Sequence, residues 1–570
     1  MPGPGARTPG ADVVFTLNGD RVAVADGTSL LDALREELGC RSVKDGCSPQ
    51  GQCGCCTVWV DGAPRVSCVT PVRRIAGRAV TTMEGVPAPL RERWARAFVA
   101  RGASQCGFCT PGIVLRLAAL EDESGRGAAR TPTRADVESA LRAHLCRCTG
   151  WQSIVEAACD ALGVVDAALM RVALAGAGGD RDPVLAAWRA ELEAGTSQSS
   201  GETVVLGDAG FADDGSPADA LVQLGAQAAP ARGLRAARAG SGRVQGRNST
   251  IALSHPVALP EGEWAAVLQT TWVEPAYLEP DASWSRPGGA PASPLANGGA
   301  FGGKRDSPLP DLARALAVEA GQTTRVLWRR EDVVRLGPKR PPLAIALRAD
   351  GSGVVRVGRS PGSGDLSDAL ARTAALCPGV QPEVVEVTGP PVSAALRGAV
   401  WAEVLAARHA LAAAGRDDGD AVRVAVPGAG AAQVAPWARP SGPGRGSLAV
   451  DVWAGALLDA VTLRSYALGA VHQALGLVWS EGIAVDESGE PVDLTIRSFG
   501  ILAARDVPEV AVVLHDGDGW PVNGSDAVFV ATLAAAWLAE GLPARWPTRR
   551  AALRAPRRDV AASGGREEAP

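Results

Sequence analysis

Between Cys47 and Cys68 the chain reads CSPQGQCGCCTVWVDGAPRVSC, and two more cysteine groups, QCGFC at Cys106 and CRC at Cys146, follow before residue 150. Thiolates at close spacing with glycines between them form a mould for a small iron–sulfur cluster. Gly51 and Gly54 lack a Cβ, so the backbone can fold tightly round inorganic sulfides and turn N–H groups toward them. A [2Fe–2S] loop commonly spaces its ligands C-x4-C-x2-C with a distant fourth cysteine. Here the first gap is one residue longer, and the set reads Cys47, Cys53, Cys56 and Cys68. Cys40 and Cys55 are left over. Cys55 could displace Cys56, but the x2 gap favours Cys56, and Cys40 reads as a small buried residue. A zinc site would want two compact pairs rather than a three-plus-one loop.

The elements that must hold these thiols are legible around them. VVFTL and RVAVA flank Asn18-Gly19-Asp20, a hairpin signal because Asn-Gly accepts positive φ. A helix follows, capped by Ser29 with Asp32 at the capping-box position, carrying a stripe of Leu30, Leu31, Leu34 and Leu38, and stopped by Gly39. A second hairpin, TVWV-DGAP-RVSCV, carries Cys68 on its return strand. Residues 12–85 therefore fit a β-grasp [2Fe–2S] domain. Residues 86–165 read as four helices: one over 90–101, one opening at Thr110-Pro111, and two opening on Thr133/Asp136 and Ser153/Glu156 as capping boxes. Cys106 and Cys109 fall in the first inter-helix joint, Cys146 and Cys148 in the last. Two packed helical hairpins bring these joints together. Taken alone, C-x2-C plus C-x-C suits a zinc-stapled bundle as well as a cluster.

A β-grasp cluster domain followed by QCGFCTPG and LCRCTG resembles the iron–sulfur segment of the xanthine dehydrogenase/aldehyde oxidase family of molybdenum hydroxylases. The resemblance implies that Cys47, Cys53, Cys56, Cys68, Cys106, Cys109, Cys146 and Cys148 hold two [2Fe–2S] clusters, and that Gln105 touches a pterin cofactor. Two departures are visible, the longer first gap and Trp151 where the family usually has tyrosine; neither removes a ligand.

The chain has 570 residues, 46% hydrophobic and 21% charged, so several domains and an ordinary globular class are expected. A net charge of −5 argues against nucleic-acid or membrane-surface partners. Twelve cysteines, ten of them before residue 150, favour metal over disulfides. No run of eighteen apolar residues exists, and MPGPGARTPG has neither an h-region nor a twin arginine; the expectation is cytoplasmic.

Beyond the cluster segment, residues 166–260 lose periodicity and read as a linker with a weakly specified piece; nothing there is patterned as an FAD domain. Residues 261–555 resemble a reduced molybdopterin-binding domain, giving an α+β multidomain chain, with 556–570 expected as a disordered tail. The carriers are TTWVEPAYLEPDASW, the glycine loop ANGGAFGGK, TRVLWRREDVVRLGPKRPP, PPVSAALRGAVWAE and the stretches at 465–501 and 521–543. Gly298, Gly299, Gly302 and Gly303 would let backbone approach an anionic cofactor, helped by a following helix N-terminus. The resemblance places Gly299, Phe301 and Gly302 against molybdopterin and Arg397 near a substrate. His472 reads as a packed helix residue.

Ser525, aligned on Gly524 and Phe529, stands where active members carry a glutamate base. A serine hydroxyl has no useful basicity at neutral pH, and losing a general base costs about 10²–10⁴ in rate. Asp526 is one residue out of register and is expected to point elsewhere. Two functions therefore stay open. One is an oxidoreductase hydroxylating an aldehyde or N-heterocycle at a molybdopterin centre and passing electrons through two clusters. The other is a two-cluster electron-transfer subunit with a non-catalytic molybdopterin region. Either implies partners: a separate FAD-binding subunit, and a large molybdenum subunit or a second copy.

Overall fold

The structure is a computed structural model describing residues 12–125, 131–164, 181–226, 228–241, 252–295, 297–414, 421–435 and 446–551. The expected tail at 556–570 lies outside the described residues. Asn18 and Gly19 take φ of 52° and 99°, and the two-residue turn pairs Leu17 with Asp20 across β1 (Val13–Leu17) and β2 (Asp20–Val24). With β3 (Thr57–Val60), β4 (Ala63–Val66) and β5 (Ala79–Thr81) these strands make one sheet, ordered β2-β1-β5-β3-β4. Only the β1–β5 pair is parallel. Ser29 caps the following helix through the Asp32 N–H at 3.1 Å. One α turn, Leu30–Asp32, then widens into a π turn, Ala33–Glu37, in which Arg35 turns inward to the Val43 carbonyl. Phe15, Leu30, Leu31, Leu34, Val58 and Val80 form the core beneath.

Four helices follow, Ala88–Arg101, Thr110–Gly125, Arg134–Ala140 and Gln152–Leu162. The Thr133/Asp136 capping box is formed in both directions. The Ser153 box is not. Trp151 adopts φ 72° and the helix begins at Gln152, whose side chain exchanges hydrogen bonds with both backbone groups of Val510 at 2.8 and 2.9 Å. That anchor pulls the start forward, and Ser153 is left inside the helix with a buried hydroxyl that finds no partner.

Over 181–241, where a linker was expected, the chain is folded. Asp182 caps a helix Pro183–Ala194, and a strand Leu221–Leu224 runs parallel to Thr324–Leu327 in a sheet of the C-terminal half. The composition concealed the reason. Arg189, fully buried, donates to the carbonyls of Ala456, Leu457 and Val522 and pairs with Glu193, so it clamps this segment to the C-terminal half.

The C-terminal half holds two further four-stranded sheets. One is ordered Val380–Glu386, Gly353–Arg359, Leu343–Leu347, Ala266–Gln269; the other Val422–Ala425, Ala431–Val434, Ser447–Trp453, Glu509–His515. Helices Trp401–Ala414, Ala460–Trp479 and Ser525–Ala539 pack on them and on one another; Ala460–Trp479 is apolar nearly all round and buried along its length. No helix among the described residues is long and apolar enough to cross a membrane.

The long helix also meets the N-terminal region. A Cβ at Gly469 would collide with the Cys148 carbonyl, and one at Gly150 with the Leu468 carbonyl. Arg464 holds Glu156 with two bonds of 2.7 and 2.8 Å, and Arg147 holds Glu481 with two of 2.5 and 2.6 Å. Such buried pairs fix geometry more surely than they add stability.

Candidate functional site

The first four cysteines converge. Cys47, Cys53 and Cys56 lie in the loop before and at the start of β3; Cys68 lies just past β4, in the 3-10 turn Ser67–Val69, rather than on the strand itself. Within the longer first gap Ser48 takes φ 59°. Backbone N–H groups of Gln50 and Gln52 point at Cys47 Sγ at 3.2 and 3.5 Å, as a sulfide-cradling loop requires. Cys47 contacts Cys53 and Cys68, and Cys68 in turn contacts Cys56. The S–H groups of Cys53 and Cys68 pull Cys47 toward thiolate, while Cys53 and Cys68 are pushed up by Cys47 and by burial. The spare Cys55 is fully buried against Cys53, and Cys40 is buried as expected.

The second set pairs across its two joints. Cys148 Sγ lies 3.6 Å from Cys106 Sγ, and Cys109 contacts Cys146, whose thiol is lowered to about 6 by the Cys109 S–H against the opposing effect of burial. Each pair takes one cysteine from each motif, as two irons held by two thiolates apiece would need. Among the described residues no three His, Cys, Asp or Glu side chains converge where one metal ion could sit. The two sets are joined directly by the Leu145 N–H, next to Cys146, which donates to the Cys53 carbonyl at 3.0 Å.

Beside Cys106 and Cys148 opens a cavity of about 180 Å³. Gln105, Gly298, Phe301, Gly302 and Arg397 line it, so the structure brings the cofactor candidates together except Gly299, which does not face the cavity. Gln105 donates its amide to the Cys148 carbonyl at 3.1 Å and to Ser465 Oγ at 3.0 Å, and Asn297 donates to the Cys106 carbonyl at 3.1 Å. The glycine loop differs from expectation in what it approaches. A Cβ at Gly302 would strike the Ala395 carbonyl and one at Gly299 would press on Thr196, so those glycines serve close packing within the protein. The next helix begins only at Leu309, past the residues that face the cavity.

Ser525 is completely buried and behind the cavity wall, taking a hydrogen bond from Arg397 Nη2. Asp526, expected to point away, is the residue that reaches the cavity, paired with Arg397 Nε at 3.0 Å. The helix Ser525–Ala539 starts there, and its first turn is capped from another element. Glu193 accepts from the N–H groups of Gly524, at 3.0 Å, and Ser525, at 2.9 Å. A carboxylate at a helix N-terminus satisfies orphan donors and the dipole together. Sequence reading missed Glu193 because its segment looked like a linker.

It also missed Glu279, in the Glu279-Pro280 of the family-like stretch. Burial raises this carboxyl to about 7 despite Lys304, which bonds one oxygen; the other, Oε1, has no hydrogen-bond partner, and the residue lines the cavity. His472 packs as expected, its Nε2 3.0 Å from the Leu502 carbonyl.

The family profile described as "2Fe-2S iron-sulfur cluster binding domain" matches residues 10–84, and "[2Fe-2S] binding domain" matches residues 82–159. Aldehyde oxidoreductase of Megalodesulfovibrio gigas is 40% identical over 27% of this chain, which spans only 17% of that protein. Nicotine 6-hydroxylase small subunit of Paenarthrobacter nicotinovorans is 39% identical over 27% of this chain and 91% of its own length. Nicotinate dehydrogenase small FeS subunit of Eubacterium barkeri is 38% identical, the match covering 25% of this chain and 87% of that protein. Among solved structures, aldehyde oxidoreductase from Desulfovibrio desulfuricans superposes with a TM-score of 0.66 at 15% identity, over 95% of this chain and 99% of the other, a likeness of fold.

Proposed function

Since the chain belongs to the xanthine dehydrogenase/aldehyde oxidase family of molybdenum hydroxylases, with two [2Fe–2S] cluster-binding domains, we propose that it is an electron-transfer oxidoreductase. Cys106, Cys109, Cys146 and Cys148 hold the cluster nearer the cavity; Cys47, Cys53, Cys56 and Cys68 hold the outer one. Electrons enter from the cavity side and leave through the outer cluster. The observation that carries this reading is the pairing of thiols in both sets together with the Leu145–Cys53 hydrogen bond between them.

The cavity's border on Gln105, Cys106 and Cys148 suits a pterin cofactor. Gln105, Phe301, Gly302 and Arg397 would hold molybdopterin there, and that cofactor would supply oxygen transfer and two-electron uptake. Hydroxylation of an aldehyde or N-heterocycle is the second reading, favoured by Glu279. Its unpartnered oxygen and its near-neutral titration allow it to take up a proton that Ser525 cannot. A flavin-bearing subunit, and a large molybdenum subunit or second copy, are the partners this reading calls for.

Metal analysis of the purified chain tests both. Iron and sulfide with two distinct reduced-cluster resonances and no molybdenum is the outcome expected of the carrier. The same iron with stoichiometric molybdenum and pterin favours the hydroxylase. A colourless protein carrying zinc overturns both.

A further inference from the structure

The proposed electron route ends at the outer cluster, and a partner at that end presupposes this reading. The thiols of that set are buried, but the loop that carries them meets solvent at one place. Gly51 lies between Cys47 and Cys53; a Cβ on it would stand 2.8 Å from Val69 Cγ1, and Val69, next to Cys68, is 59% exposed. This apolar tip has cationic neighbours. Arg65, Arg73 and Arg74 are exposed, and Arg65 and Arg73 stand only four residues from Val69, at most about 14 Å along the chain. Arg497, also exposed, donates to the Gln52 carbonyl at 2.8 Å.

The three rim arginines lack carboxylate partners among the described residues, unlike surface pairs such as Arg78–Asp61, Arg93–Glu121, Arg356–Glu383 and Arg359–Glu386. Among the described residues Arg65, Arg73 and Arg74 form no ion pair. The whole chain carries a net charge of −5, so this positive rim opposes the sign of the molecule. Clustered like charges contribute self-repulsion and nothing to the fold, whereas an oppositely charged partner gains both encounter rate and register from them.

We propose that the Gly51–Val69 tip, rimmed by Arg65, Arg73 and Arg74, is the docking face for an acidic one-electron carrier protein. The apolar tip permits close approach to the outer cluster and the arginines steer the carrier's acidic face. One electron passes per encounter, oxidising the cluster and reducing the carrier, with no bond made or broken.

The test is stopped-flow oxidation of the dithionite-reduced full chain by three acceptors: acidic plastocyanin, basic cytochrome c and neutral 1,4-benzoquinone. Plastocyanin should react at least tenfold faster than cytochrome c at low salt, with a rate that falls as salt is added. The triple variant Arg65→Glu, Arg73→Glu, Arg74→Glu should lose at least tenfold with plastocyanin, and keep its benzoquinone rate and cluster absorbance. A faster reaction with cytochrome c, or an unchanged plastocyanin rate in the variant, overturns the docking face while leaving the carrier reading intact. Failure of the unmodified chain to reduce benzoquinone overturns the carrier reading and the docking face with it.

Discussion

Residues 12–164 and residues 252–551 both fall within a fold like that of aldehyde oxidoreductase, and are held in it by different means. The first region retains 38–40% identity with its relatives, while the whole-chain superposition that includes the second runs at 15%. Cluster-binding thiols must reach fixed points, and the turns that deliver them are equally fixed, so Gly54, Gly107 and Gly150 cannot drift. The second region is held by apolar helices on sheets, where any side chains of suitable volume serve. The difference shows that ligand geometry constrains sequence residue by residue, and that packing constrains it only in aggregate.

The largest effect expected from breaking this contrast is at Cys106. Cys106→Ala removes one sulfur from a pair and should cost half of the iron, with one reduced-cluster resonance lost and the other kept. Retention of all iron would refute the pairing.

Next comes Glu193, on the helix Pro183–Ala194, which caps a helix of the second region. Glu193→Ala strips a fully buried Arg189 of its carboxylate and two helix N–H groups of their acceptor, an expected loss of about 3–5 kcal/mol in denaturant unfolding. The cluster absorbance should survive up to the onset of unfolding.

Two buried groups sharpen the contrast by pH. Burial and then Arg147 lower His472 to about 3, against 6.5 in the open. Between those values the unfolded chain binds a proton that the folded one refuses, so stability falls as pH drops through that window. Glu279 has the opposite sign. Raised from 4.5 to about 7, it binds its proton more tightly when folded, and stability falls as pH rises across that interval. Thermal unfolding of His472→Gln should be flatter on the acid side, and Glu279→Gln flatter between pH 5 and 7.

The smallest effect is expected at the cap of the helix Arg134–Ala140. Thr133→Ala removes the hydroxyl half of a formed capping box and should cost about 1 kcal/mol, measured by urea unfolding.

Much of the first region could be read from residue order. Asn18-Gly19, the Thr133 box and the eight cysteines each act within a few positions of themselves, so their partners are near in the chain. Ser153 was misread because the true start of its helix is set by Gln152 reaching Val510, more than 350 residues away. The cavity was half legible. Gln105, Phe301, Gly302 and Arg397 lie in recognisable motifs, but Glu193 and Glu279 gain meaning only from who faces them. Asp526 shows the same limit: a helix turns its residues by a fixed angle, yet where the turn begins decides which one looks inward.

The contact between Gly469 and the Cys148 carbonyl bears on how such a protein is made. With the long helix packed this closely on the loop beneath it, the loop opens only if the helix lifts first. Iron and sulfide are then more readily seated before the chain has closed than after it. Reconstitution begun from unfolded chain should recover colour promptly, and from folded, metal-free chain only as fast as that helix lifts away.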